Sequence, residues 1–72
     1  MTQQRLDMLD SVQRGAVTYN RRTGHWNMDG EPAAGWTGRT LSTLKRNEYI
    51  VTTQGNPMDT VALTERGKDA LA

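Results

Sequence analysis

The chain has 72 residues, 24% of them charged, and a formal net charge of +1 at pH 7. It contains no cysteine and one histidine, which excludes a disulfide framework and the common zinc sites. No apolar run approaches the roughly 20 residues that span a bilayer, and the start of the chain lacks the apolar core of a signal peptide. We therefore expect one small domain, residues 1–72, in a soluble cytoplasmic protein without cofactor or metal.

The first predicted element is an amphipathic helix from about Thr2 to Arg14. Its apolar side chains recur at intervals of three residues and share one stripe: Leu6, Leu9 and Val12, with Met8 at the margin. Thr2 suits the N-cap and Gly15 suits the stop.

A β-hairpin is predicted next, because two short β-prone runs, Val17–Asn20 and His25–Met28, flank the turn sequence Arg21-Arg22-Thr23-Gly24. The following segment, GEPAAGW, is less determined. Pro32 suits the first position of a single helical turn, which Gly35 would end.

A second helix is predicted from Thr37, as N-cap, to Asn47, which tolerates the left-handed backbone conformation of a helix end. Leu41 and Leu44 share one stripe and must face the core. The opposite side carries basic and small polar side chains: Arg39, Ser42, Thr43 and Arg46, with Thr40 and Lys45 on the flanks.

The runs YIVTT and TVALT predict a second antiparallel hairpin around a turn at residues 54–59. Its candidate buried side chains are Ile50, Val61 and Leu63. Thr64 suits the cap of a final short helix, in which Ala70 and Leu71 return to the core.

Basic charge is concentrated in the middle of the chain. Residues 14–46 carry six arginines and lysines against two carboxylates, whereas the segments before and after are net negative. A local basic cluster of this kind is typical of a nucleic-acid-binding surface, although solvated helix faces are also commonly basic.

Two motifs resemble winged-helix proteins. The run RTLSTLKRNEYIV is similar to the recognition helix and first wing strand of small winged-helix regulators. The run VALTERGKDAL resembles the second wing strand and closing helix of MarR- and PadR-like proteins, whose wing often ends in L-T-x-x-G-x-x-x-L, here Leu63, Thr64, Gly67 and Leu71. The resemblance extends from Thr37 to Leu71. It implies an α+β winged helix-turn-helix, a small three-helix domain with an antiparallel β-hairpin wing.

The chain departs from this pattern at two places. Glu48 stands where such proteins often have a glycine, which predicts a differently shaped helix end, and a hairpin occupies much of the room of the scaffolding helix. This brevity and the hairpin resemble small winged-helix proteins of phages and bacteria, including some excisionases.

The function that this resemblance implies is sequence-specific binding of double-stranded DNA, by a small transcriptional regulator or an architectural recombination factor. The helix at residues 37–47 would enter the major groove, where Arg39 and Arg46 contact guanine edges or phosphates, while Thr40 and Lys45 hold phosphates from the flanks. The predicted DNA-binding residues are Thr37, Arg39, Thr40, Ser42, Thr43, Lys45 and Arg46 in the helix, Arg21 and Arg22 in the first turn, and Gln54 and Asn56 at the wing tip.

Several alternatives remain open at this point. Arg21 and Arg22 either clamp a phosphate backbone or belong to a solvated loop, and the wing tip has no basic residue for a strong contact. The rival function is a winged-helix protein–protein interaction module that does not bind DNA. A monomer of this size has a small interface, so a homodimer or cooperative assembly on DNA is expected.

Catalysis is not expected, because His25 stands alone and the chain has no glycine-rich phosphate loop and no serine on a nucleophile turn. Trp26 and Trp36 are interpreted as bulk for a core that lacks phenylalanine, rather than as platforms for base stacking.

Overall fold

Three helices and five strands make up the chain, and a computed structural model describes all 72 residues. In chain order the elements are α1 (Gln3–Gln13), β1 (Val17–Asn20), β2 (His25–Met28), β3 (Glu31–Pro32), α2 (Gly35–Arg46), β4 (Ile50–Thr53), β5 (Asp59–Leu63) and α3 (Glu65–Leu71). The protein is thus a small α+β domain with three helices and an antiparallel sheet, as the sequence predicted at this level.

The two predicted hairpins belong to a single sheet of order β3-β2-β1-β5-β4, in which all neighbours are antiparallel. The pairs Thr18–Thr60 and Tyr19–Asp59 join β1 to β5, and this junction was not foreseen from the sequence. One edge of the sheet is β3, which has two residues and contains Pro32. The other edge is β4. Both hairpin turns, residues 21–24 and 54–58, consequently project from the same end of the sheet.

The core lies between the helices and the inner face of the sheet. Nine hydrophobic side chains from all parts of the chain except β3 and α3 form one buried cluster: Met8, Leu9, Val12, Val17, Trp26, Leu41, Leu44, Ile50 and Val61. Leu63, Ala70 and Leu71 are half-buried against it, so the predicted inner face of the second hairpin and the return of α3 to the core are confirmed.

The first helix and first hairpin follow the sequence prediction closely. The hydroxyl of Thr2 accepts from the Arg5 N–H at 3.2 Å and caps α1, and Gly15 has φ +79° just after the helix. Met8, predicted at the margin of the apolar stripe, is buried. The bounds of β1 and β2 are those predicted.

The predictions for residues 30–37 were wrong. Pro32 lies in an edge strand instead of a helical turn, where its missing N–H costs no sheet hydrogen bond, and the Ala33 N–H donates to the Trp26 carbonyl at 2.9 Å. Gly35 begins α2 rather than ending a turn. Thr37 is therefore inside the helix and not at its N-cap, a position held by Ala34 without a side-chain cap.

The end of α2 was predicted at the right place but with the wrong residue in the left-handed conformation. Asn47 is the C-cap with φ −89°, and Glu48 follows with φ +64°. The Glu48 N–H donates to the Lys45 carbonyl, and the Tyr49 N–H donates to the Leu44 carbonyl at 2.9 Å. These two bonds form a Schellman motif, so the helix ends as it would with glycine at residue 48.

Candidate nucleic-acid interface

The side of α2 opposite the core is a basic surface, here named the α2 outer face: Arg39, Ser42, Thr43 and Arg46, all exposed except the half-buried Thr43. Leu41 and Leu44 are at most 1% exposed, which fixes the orientation of the helix. Arg39 and Arg46 are exposed and have no carboxylate within 4 Å, whereas three other basic residues of the chain, Arg14, Arg21 and Lys68, are in ion pairs. Ser42 lies between the two arginines along the helix, so the face presents two free guanidinium groups with a small hydroxyl between them.

Ser42 is also joined to the core. The indole Nε1–H of Trp26 donates to its Oγ at 3.0 Å. Trp26 is 5% exposed and packs against the Tyr19 ring at a centroid distance of 4.6 Å. The hydroxyl of Ser42 is thus held by a side chain that cannot itself move into solvent.

The flanks of the α2 outer face differ from each other. On one side the Thr40 hydroxyl donates to the Trp36 carbonyl at 2.9 Å. On the other, the Lys45 ammonium lies 5.2 Å from the centroid of the Tyr19 ring, which is within cation–π range. Thr43 is half-buried.

Arg21, in the β1–β2 turn, is bound to a buried carboxylate. Its Nε lies 3.0 Å from Oδ2 of Asp59, while its side chain stays 53% exposed. The other Asp59 oxygen accepts from the Gly55 N–H in the β4–β5 turn at 3.2 Å. One carboxylate therefore ties both hairpin turns together.

The neighbours of Asp59 stabilise its carboxylate in the ionised form. Burial raises the pKa of its carboxyl, but the Gly55 N–H, the Arg21 guanidinium and the charge of Lys45 outweigh that effect and hold the pKa below its usual value. Arg21 accordingly keeps only the far end of its guanidinium for a contact outside the protein.

The tip of the β1–β2 turn is locally ordered. The Asn20 side-chain oxygen accepts from the Arg22 N–H at 2.9 Å and from the Thr23 N–H at 3.3 Å, and Gly24 has φ +74°. This arrangement is an Asx-type turn that holds the backbone of Arg22, while its side chain is exposed and without a carboxylate partner.

An open groove of about 440 Å³ joins the β1–β2 turn to α2. Its walls include Gly24 and His25 on one side and Gly38, Arg39 and Ser42 on the other. The groove therefore connects the end of the β1–β2 turn to the part of the α2 outer face that carries Arg39 and Ser42.

Not every predicted site residue lies on this surface. Thr37 is 8% exposed and faces the core, because it lies inside α2 and its spacing puts it on the same stripe as the buried Leu41 and Leu44. Gln54 and Asn56 are exposed in the β4–β5 turn, which carries no basic side chain.

The sequence did not lead to a prediction that Asp59 is buried, and it led to the wrong environment for Trp36. Asp59 shares the period-two spacing of Val61 and Leu63, and this signal places it on the buried face of β5. Trp36 is 54% exposed, so the prediction that it fills the core was wrong, while that for Trp26 is confirmed. Trp36 lies on the flank of α2 towards α1, where it lines a second groove with Met8 and Met28.

Searches against protein-family models, curated proteins and solved structures find no match to this chain. None of its helices has the length and apolar character required to cross a membrane. No group of three or more histidine, aspartate and glutamate side chains lies close enough to hold a metal ion.

Proposed function

We propose that the chain is a winged helix-turn-helix domain that binds double-stranded DNA sequence-specifically, as a small transcriptional regulator or an architectural recombination factor. In this proposal α2 enters the major groove, which is about 12 Å wide and admits a helix. The hairpin of β4 and β5 is the wing, and the more basic β1–β2 turn grips the phosphate backbone beside it.

The observation that carries this proposal is the state of the basic side chains on the α2 outer face. Arg39 and Arg46 are exposed, unpaired and separated by about two helical turns, as a surface that contacts phosphates or guanine edges requires. Arg22 adds an unpaired cation at the end of the sheet. Thr37 is not part of the proposed surface, because it is buried.

The variant that tests the proposal is Arg39→Ala with Arg46→Ala. We expect the affinity for duplex DNA to fall at least about tenfold. The magnitude of the slope of log affinity against log salt should decrease by about two. The free energy of unfolding should change by less than about 0.5 kcal/mol, since both side chains are exposed. Binding is measured by fluorescence anisotropy at two or more salt concentrations.

A charge-matched control is Arg14→Ala with Lys68→Ala. Arg14 is at the end of α1 and Lys68 is in α3. Each belongs to an exposed ion pair that contributes little to stability. The control removes the same charge but should keep most of the affinity. Equal losses in both double variants would mean that only net charge matters and that α2 has no special role.

The rival function, a protein-interaction module, is favoured by one observation. Trp36 is 54% exposed beside a groove of about 490 Å³ that Met8 and Met28 also line. Exposed aromatic side chains beside an apolar groove are common at protein–protein interfaces. An amide NMR titration with a duplex of about 16 base pairs, one and a half turns, separates the two functions. Shifts at Arg39–Arg46 support DNA, and no shift even at low salt supports a protein partner.

A further inference from the structure

The hydrogen-bond partners inside the protein determine what the hydroxyls of α2 offer to a ligand. An indole N–H only donates, so Ser42 must act as acceptor in its 3.0 Å bond with Trp26. A carbonyl only accepts, so Thr40 must use its proton in its 2.9 Å bond with Trp36. These assignments follow from the chemistry of the partners and do not depend on hydrogen positions.

We propose that Trp26 positions Ser42 as a hydrogen-bond donor between Arg39 and Arg46, and that Ser42 thereby reads an acceptor on a base edge. With one lone pair occupied by the indole, the Ser42 hydroxyl keeps its proton for a group outside the protein. The inference rests on the proposed function, since it names what the α2 outer face recognises in DNA.

The side chains on either side of Ser42 give the α2 outer face the same hydrogen-bond-donor character. Arg39 and Arg46 are donors without any acceptor atom, so three successive groups along the α2 outer face offer protons. The major-groove acceptors are guanine O6 and N7, adenine N7 and thymine O4, whereas the cytosine N4 and adenine N6 amino groups are donors. Ser42 therefore prefers a base pair that places one of those acceptors opposite it over one that places an amino group there.

Thr40 has the opposite character. While its proton is bound to the Trp36 carbonyl, only lone pairs remain for an external partner. It consequently does not donate to a phosphate, and the phosphate-holding role predicted for it from sequence belongs to Lys45 alone.

The core provides the rigidity that this positioning needs. Trp26 is 5% exposed, packs on Tyr19, and has its ring 3.9 Å from the place where a Cβ at residue 38 would lie. Its indole is therefore fixed relative to α2, and Ser42 does not have to lose the freedom of an unbound hydroxyl when DNA binds.

The experiment is selection from a pool of duplexes with a randomised central segment, followed by sequencing. Wild type is compared with Ser42→Ala, Ser42→Thr and Trp26→Phe. A matched control is Ser11→Ala, because Ser11 also has its hydroxyl engaged within the protein but lies on α1. We expect Ser42→Ala to lower the preference at one base pair about fivefold, the loss of a single hydrogen bond, with total affinity for the pool nearly unchanged.

The conservative variants separate positioning from structural support. Ser42→Thr keeps a hydroxyl and should keep the base preference. Trp26→Phe keeps the serine but removes the indole N–H, and it should weaken the preference at the same base pair. If Trp26→Phe does not fold, exchange of the two indole N–H groups with solvent replaces it. The Trp26 signal should be protected in wild type and lose protection in Ser42→Ala, with the exposed Trp36 as the internal reference.

The outcomes distinguish this inference from the proposed function. Selection of the same base pairs by wild type and Ser42→Ala overturns the role of Ser42 and leaves DNA binding intact. Binding of the wild type to the pool without any base preference overturns both the role of Ser42 and the sequence specificity of the proposed function, and leaves only non-specific duplex binding. Failure of the wild type to bind any duplex at low salt overturns the proposed function, and this inference falls with it.

Discussion

At the scale of single residues, Glu48 carries a cost that the sequence alone did not reveal. Its φ of +64° is in the left-handed region, which costs a residue with a side chain about 1–2 kcal/mol relative to the right-handed helix. The side chain is exposed and takes part in no hydrogen bond or ion pair within the protein. Glu48 therefore occupies a position that glycine would fill with less strain.

Glycine at residue 48 should stabilise the protein. We expect Glu48→Gly to raise the free energy of unfolding by about 0.5–1 kcal/mol, because relief of the backbone strain exceeds the added freedom of glycine in the unfolded chain. Glu48→Ala, which keeps a Cβ, is the control and should gain little. Urea denaturation of the three proteins measures the effect. A gain in the alanine variant as large as that in the glycine variant would assign the effect to charge instead of strain.

Asp59 links stability to pH. Its folded-state pKa lies below the value of 3.8 expected for the unfolded chain, so the unfolded state binds more protons as the pH falls. The contribution of Asp59 is fully present above pH 3.8 and is lost as the pH falls through the lower folded-state pKa.

We expect Asp59→Asn to lower the thermal midpoint at pH 7, because the amide cannot replace the charged partner of Arg21. The difference from wild type should narrow below about pH 4 as the carboxylate becomes protonated. Thermal scans between neutral pH and pH 2.5 test this, with the exposed Asp10→Asn as control. A difference that stays constant over the whole range would exclude a charge-based role.

At the scale of elements, the L-T-x-x-G motif joins the end of α2 to the start of α3. The Thr64 hydroxyl donates to the Glu48 carbonyl and accepts from the Gly67 N–H, which caps α3. The Thr64 N–H donates to the Tyr49 carbonyl at 3.1 Å, and a Cβ at Gly67 would lie 2.2 Å from that same oxygen. Thr64 and Gly67 of the motif thus hold α3 against the backbone of Glu48 and Tyr49, directly after the end of α2.

The close approach at Gly67 makes a matched pair of glycine variants informative. Gly67→Ala should destabilise the protein by about 2 kcal/mol, because α3 must move away from the Tyr49 carbonyl between α2 and β4. Gly38→Ala, inside α2, should stabilise it by about 0.5–1 kcal/mol, since its Cβ would meet Trp26 only at 3.9 Å. Chemical denaturation gives both values. Two changes of equal sign would contradict the role of the Tyr49 contact.

The sequence predicted the elements better than their assembly. The bounds of β1 and β2 and the cap of α3 follow from local spacing and turn chemistry, and they are as predicted. The junction of β1 with β5 rests on two residue pairs about 40 positions apart, for which local patterns carry no signal.

The site shows the same limit. Helical periodicity was enough to place Arg39, Ser42 and Arg46 opposite the leucines, and the structure agrees with that placement. The partner of Ser42 depends on β2 lying beside α2, and the exposure of Trp36 depends on where α2 begins, so neither could be predicted from spacing. The DNA-binding role of these residues stays a prediction.

At the scale of the whole molecule, size sets the strength of any interaction with DNA. The radius of gyration is 11.0 Å, which is the value of about 11 Å expected for a folded domain of this length. Such a domain covers a single short stretch of one groove, so one copy should bind weakly and lose affinity steeply with salt.

We accordingly expect assembly on DNA, as a homodimer on two half-sites or as cooperative binding of several copies. A duplex of about 32 base pairs should bind each copy at least several-fold more tightly than one of about 16, because half-sites repeat at one-turn intervals. Sedimentation velocity of the two complexes, with the free protein as reference, measures the number of copies bound. Equal affinity per copy on both lengths would indicate independent monomers.

The unequal edges of the sheet limit how copies of this protein can aggregate. Two sheets can join through backbone hydrogen bonds only where each has a free strand edge. The strand β3 has two residues, one of them Pro32, and therefore offers almost no free backbone groups. Only β4 has an open row of backbone groups. When two copies pair edge to edge through β4, each uses its one open edge, so the product is closed and sheet-edge pairing cannot extend it into a fibril.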